Sequence, residues 1–176
     1  CKDYPRCSVS LILAWPWSVM GTKILQLLLV AASEPARRTV RQALVATKLA
    51  FQLDEVEHAA EVKARLPPPG EDYHCLLIDG SLGHDAAGKL ISDLRGRGVV
   101  TPILMLMSQA DAEESVEAAL IAAGASDYLP RQDLQPDRLA RRMRHAIRSG
   151  RAEASYAAAL ATAQRAVQDR DDLLSI

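Results

Sequence analysis

Three short stretches of almost unbroken apolar residues constrain this chain most: Ile24 to Val30 (ILQLLLV), Tyr73 to Ile78 (YHCLLI) and Pro102 to Met107 (PILMLM). Runs this short and this apolar suit strands covered on both faces, as in a parallel sheet with helices on either side. The segments between them have helical period. Ser33-Glu34-Pro35 is a helix start with a capping hydroxyl, an acid and an early proline, and Val40, Ala43 and Leu44 follow at helical spacing. Phe51 to Glu57 is more polar and partly alternating, which predicts an edge strand. Ala59 to Leu66 is a short helix stopped by Pro67-Pro68-Pro69-Gly70.

Ala86, Leu90, Ile91 and Leu94 predict a further helix, as do Val116, Ala119, Leu120 and Ala123, with Gly124 as the C′ residue. Asp127-Tyr128-Leu129 reads as a brief fifth strand, and Leu139, Met143 and Ile147 as the inner stripe of a last helix. Five strands alternating with five helices predict an α/β domain built on a doubly wound parallel sheet. The chain is 49% hydrophobic but only 4% aromatic. That balance favours helices on a sheet over an aromatic-rich sandwich or barrel.

In such a sheet, sites lie beyond the carboxyl ends of the strands. Those ends carry Ala31-Ala32, Asp79, Met107-Ser108 and Pro130-Arg131. The segments LLLVAASEPARR, CLLIDGSLG, TPILMLMSQAD and AGASDYLPRQDL, taken together between Thr22 and Ser149, resemble the receiver domains of two-component signalling. The resemblance implies a flavodoxin-like sheet of order 2-1-3-4-5 and a role in phosphorelay signal transduction.

In that family an acidic pair after the first strand binds Mg²⁺, an aspartate after the third takes the phosphoryl group, and a Ser/Thr and a Lys contact its oxygens. A carboxylate attacking a phosphate donor needs a hard cation and hydrogen-bond donors for the developing charge. Carried over by position, Asp79 matches the phosphoacceptor. Ala31 and Ala32 fall where the acidic pair belongs, or Ala32 and Ser33 if Glu34-Pro35 sets the alignment, and neither choice supplies a carboxylate. Met107 falls at the Ser/Thr position, with Ser108 next to it, and Arg131 at the Lys position.

The expectation is a pseudo-receiver. No residue is assigned a catalytic role and no enzymatic activity is expected of the module; no cofactor is certain, and Mg²⁺ enters only with a working site. Arg131 can hold Asp79 through a bidentate contact that lysine cannot make. Glu34 reads as a first-turn helix acid. The alternatives are a receiver still phosphorylated at Asp79, and a flavodoxin-like nucleotide or flavin binder. The loop from Ala31 to Pro35 lacks the glycines that cradle phosphate, which counts against the latter.

His58, His74, His84 and His145 are scattered and form no ligand set, and Cys1, Cys7 and Cys75 form no metal pattern. Cys75, inside an apolar run, reads as a buried small hydrophobe. The cysteine usage fits a reducing cytoplasm. A net charge of −1 gives no broadly basic surface, so nucleic acid is not an expected partner. Arg138 to Arg148 carries an arginine cluster that reads first as a solvated helix face.

Residues 1–21 read as an irregular leader. Ser8 to Met20 is apolar but too short to span a bilayer and is interrupted by Pro16, so no membrane is expected. The receiver-like domain then occupies residues 22–149 and a signalling helix residues 150–176. Tyr156, Leu160, Ala163, Val167 and Leu174 form a heptad seam, with Arg170 as its polar exception. A lone helix cannot bury that seam, which implies a homodimer through a coiled coil, parallel in the leading reading, with packing back on the domain as the alternative. Arg170 to Ile176 (RDDLLSI) resembles the lead-in to the dimerisation helix of sensor histidine kinases. That resemblance implies the N-terminal part of a hybrid kinase, or a kinase or other signalling domain as partner.

Overall fold

The computed structural model describes residues 24–66, 73–108 and 114–174, with side chains described as far as Arg165. The leader at 1–21, the proline run at 67–69 and Ile176 lie outside these residues. Five strands alternate with five helices: β1 (Leu25–Val30), α1 (Glu34–Ala46), β2 (Phe51–Val56), α2 (Ala59–Arg65), β3 (Cys75–Asp79), α3 (His84–Gly96), β4 (Ile103–Met107), α4 (Glu114–Ala122), β5 (Asp127–Pro130) and α5 (Pro136–Leu174). All neighbouring strands pair in parallel and the sheet order is β2-β1-β3-β4-β5, the flavodoxin-like arrangement expected.

The apolar runs are continuous because both faces of the sheet are covered. Leu27, Leu29, Cys75, Leu77, Leu104 and Leu106 point to one face, where Val40 and Leu44 of α1 and Leu139 and Met143 of α5 close over them. The alternate residues, Leu28, Val30, Leu76, Ile78, Ile103 and Met105, pack under Val62, Leu90, Ile91, Leu94 and Leu120 of α2, α3 and α4. Each such side chain taken from water stabilises the fold by about 1.5–3 kcal/mol before entropy is counted. The mixed pattern of β2 follows from its place at the sheet edge, where Leu53 and Val56 are buried and Gln52 is exposed.

Local signals set the element ends. Ser33 caps α1, its Oγ accepting the Ala36 amide at 3.3 Å, with Glu34 in the first turn. After α4 the Gly124 amide donates to Ile121 O and the Ala125 amide to Leu120 O, a paired closure that needs positive φ at Gly124, here +112°. A second requirement falls on the same residue. Arg95 of α3 lies against Gly124 and donates to the carbonyls of Gly124, Val99 and Thr101, tying together the two loops that lead into β4 and β5. The Arg95 guanidinium is pushed below its ordinary pKa by burial, partly offset by the charge of Glu153.

α5 runs as one helix of 39 residues, about 58 Å long, with no break at Gly150. Its first half docks through Leu139, Ala140, Met143, Ala146 and Ile147. Beyond it Tyr156 and Leu160 are 72% and 48% exposed, and Ala163 is also exposed. Val167 and Leu174 lie on the same helix, outside the described side chains. Among the described residues no helix is long and apolar enough to cross a membrane.

Candidate functional site

Asp79 is the last residue of β3 and the first polar one after four buried apolar positions. Its pairing partner on β4 is Leu106, one step before Met107, and Met107 pairs in turn with Pro130 on β5. Asp79, Met107 and Arg131 therefore sit side by side at the carboxyl edge of the sheet. Asp79 also turns the chain: its Oδ1 accepts the Ser81 amide at 2.9 Å, starting a single 3₁₀ turn (Gly80–Leu82). Gly83, at φ +87°, then redirects the backbone into α3. Turn residue and site residue are one and the same.

Arg131 follows β5 directly and reaches back to Asp79. Its Nε donates to Asp79 Oδ2 at 3.0 Å, and its Nη2 donates to Asp79 Oδ1. The carboxylate is fully buried, whereas the Arg131 side chain keeps 37% of its exposure. At contact distance and an effective dielectric near 20 the pair gains ~4 kcal/mol before desolvation. Both carboxylate oxygens are thereby engaged, with three N–H donors converging on them.

Around this pair the other expected positions are apolar or already committed. Ala31 is buried and Ala32 half-buried, and neither side chain carries a donor atom. Met107 is buried and presents a thioether instead of a hydroxyl. Ser108 is half-buried and lies just past the end of β4. Glu34, the nearest acid to Ala31 and Ala32 along the chain, is bound by Arg37 at 3.0 Å and lies 3.9 Å from Arg41.

Arg37 was not foreseen in the sequence. Its Nη1 donates to the carbonyl of Ala31 at 2.7 Å, and its guanidinium lies 3.7 Å from Glu57. A single arginine at a helix start carries no pattern that foretells this. Another unforeseen link is the Tyr128 phenol of β5, held by Glu117 of α4, whose hydrogen bond raises its pKa.

A resident Mg²⁺ requires oxygen ligands, typically one or two carboxylates and waters. The alanines offer none, and Asp79 faces a guanidinium. Among the described residues no group of three His, Cys, Asp or Glu side chains is placed to hold a metal. The donor set does not fit the ion. A cleft of ≈ 380 Å³ lies on another part of the molecule, between α1, β2 and α2, lined by Arg37, Arg41, Phe51, Leu53, Glu55 and Arg65. It is crossed by the bidentate Arg41–Glu55 pair, whose hydrogen bond raises the Arg41 pKa, and Asp79 is not among its walls.

A five-stranded parallel sheet of this order, with an aspartate at the carboxyl end of its central strand, defines a receiver-type domain. No protein-family model matches the sequence. The two-component response regulator ORR41 of Oryza sativa subsp. japonica is 32% identical over 113 residues, covering 62% of this chain and 84% of that protein.

Solved structures share the fold. The Francisella response regulator 1452 receiver domain has a TM-score of 0.58 at 14% identity, over 71% of this chain and 98% of that one. Chemotaxis response regulator CheY4 of Vibrio cholerae gives 0.57 at 17%, over 70% and 99%. Full-length FixJ of B. japonicum gives 0.61 at 19%, over 74% and 61%. The chain belongs to the two-component response regulator family, and its folded body is a receiver domain of phosphorelay signalling.

Proposed function

We propose that this receiver is a regulatory module of the cytoplasm that works without Mg²⁺-dependent phosphorylation, Arg131 holding Asp79 in one state. The bidentate Arg131–Asp79 contact carries this reading: it supplies to the buried carboxylate the positive charge that a metal and a phosphoryl-contacting lysine share in other receivers. Ala31, Ala32 and Met107 support it by removing the remaining ligands. Output runs through α5. Its exposed Tyr156, Leu160 and Ala163, continued in sequence by Val167 and Leu174, form the seam of a parallel homodimer. The RDDLLSI segment supports a place at the N-terminal side of a hybrid sensor histidine kinase.

The competing reading, a receiver phosphorylated at Asp79, rests on the retained aspartate. Beryllofluoride, a phosphoryl mimic, separates the two. The expected result is no change in melting temperature with beryllofluoride, with or without Mg²⁺. A Mg²⁺-dependent rise that is abolished in Asp79→Asn would overturn the proposal in favour of ordinary phosphorylation.

A further inference from the structure

Successive α-helical residues advance by about 100°, which divides α5 into three faces roughly 120° apart. One face docks on the sheet through Leu139, Met143 and Ile147. A second carries the seam that begins at Tyr156 and Leu160. The third carries Arg141, Arg144, Arg148 and Arg151, all exposed and spaced three, four and three residues apart along one stripe.

The arginines of α5 are sorted by partner as well as by face. Arg142 bonds Asp127 and Arg138 pairs with Asp133, both off the stripe. None of the four stripe arginines is ion-paired with any described residue; Arg148 reaches only the carbonyl of Arg144. Each neighbouring pair on the stripe sets like charges three or four residues apart, which destabilises a helix. Apart from Asp137, four residues before Arg141, no acid lies three or four residues from any of them. Asp137 can offset this repulsion only at the Arg141 end of the stripe, and among the described residues nothing offsets the rest.

We propose that this stripe is a docking site for an acidic α-helix of a partner protein. A helix with carboxylates at three-four-three spacing repeats the axial rises of the four guanidiniums, so each arginine can meet a carboxylate in the fork geometry that makes such pairs strong. A lipid surface or a nucleic acid would meet the same charge without any demand for that spacing. Because the stripe is separate from both the docked face and the seam, such a partner can bind while the seam is occupied. The proposal is independent of the state of Asp79.

The test uses the full chain and two synthetic helical peptides of identical composition, one with four glutamates at three-four-three spacing and one with the same glutamates scattered around the helix. The spaced peptide is expected to bind at least roughly tenfold more tightly, with affinity falling as salt is raised. Arg144→Glu with Arg148→Glu should abolish that preference, and Arg144→Gln with Arg148→Gln should weaken it, with helix content by circular dichroism unchanged in both. Equal binding of the two peptides, or no binding of either, would overturn the proposal. So would phosphatidylglycerol vesicles or a duplex oligonucleotide binding as tightly as the spaced peptide.

Discussion

Arg131 and Asp79 meet through two hydrogen bonds across 52 residues of sequence, the carboxylate buried and the guanidinium partly in water. The asymmetry sets what each substitution does. Arg131→Ala leaves a buried charge without its partner and is expected to cost about 3–5 kcal/mol in urea unfolding. Arg131→Lys should recover part of this, because a lysine supplies charge but not the fork. Asp79→Asn should cost less than Arg131→Ala, since an amide still accepts from Ser81 and the freed arginine can turn to solvent.

On the proposal that the missing ligands leave the site silent, replacing them should restore it. Ala32→Asp combined with Met107→Thr and Arg131→Lys is expected to create Mg²⁺-dependent beryllofluoride binding absent from the parent. At a ligand concentration a hundredfold above Kd, the gain would be about 2.7 kcal/mol of stability, visible as a higher melting temperature. A variant that folds but shows no such gain would place the defect elsewhere.

Gly124 is pinned by two demands, a positive φ and the passage of Arg95. A Cβ there would lie 2.6 Å from Arg95 Cγ. Gly124→Ala is expected to destabilise by about 1–3 kcal/mol, from backbone strain plus displacement of Arg95 from its carbonyls. In Arg95→Ala, which ends at Cβ, the steric part disappears, so Gly124→Ala should cost less in that background. A double-mutant cycle in urea measures the coupling.

Much of this architecture was legible in the sequence because the sheet is buried on both faces. Runs such as Leu76 to Ile78 and Ile103 to Met107 have no polar alternation to confuse them with edge strands, and Asp79 stands out as the first charge after such a run. The C′ role of Gly124 was legible too, since the helix before it ends in plain periodicity. The ties that Arg95 makes to Gly124, Val99 and Thr101, and that Arg37 makes to Ala31, were not, because they end on backbone carbonyls, which leave no mark in a pattern of side chains. The face-by-face sorting of the α5 arginines emerged only once the ion pairs to Asp127 and Asp133 were known.

Cys75 carries a pH dependence. Burial lifts its thiol from an ordinary 9.0 to about 12. The unfolded chain loses this proton first, so the contribution to stability is intact below about pH 9 and is lost as pH climbs toward 12, at up to ~1.4 kcal/mol per unit. Tyr73, raised mainly by burial and also by its bond to Asp54, acts with the same sign. Urea titrations at several alkaline pH values should give a shallower decline for Cys75→Ala than for the parent.

The seam makes its own prediction. Leu160→Asp places a charge in the middle of the proposed helix pair and should convert a dimer to a monomer in analytical ultracentrifugation. Arg165→Asp, an exposed change outside the seam on the same helix, should leave the mass unchanged.

Because α5 passes out of the domain unbroken, any movement of its docked half would be carried to its far end. The arm beyond Gly150 comprises 24 residues, Arg151 to Leu174, and extends about 36 Å. A tilt of about 5° where Met143 and Ile147 are seated would swing its far end by roughly 4 Å at that rise per residue. Small repacking beside the sheet is thus amplified into a displacement comparable to a side chain.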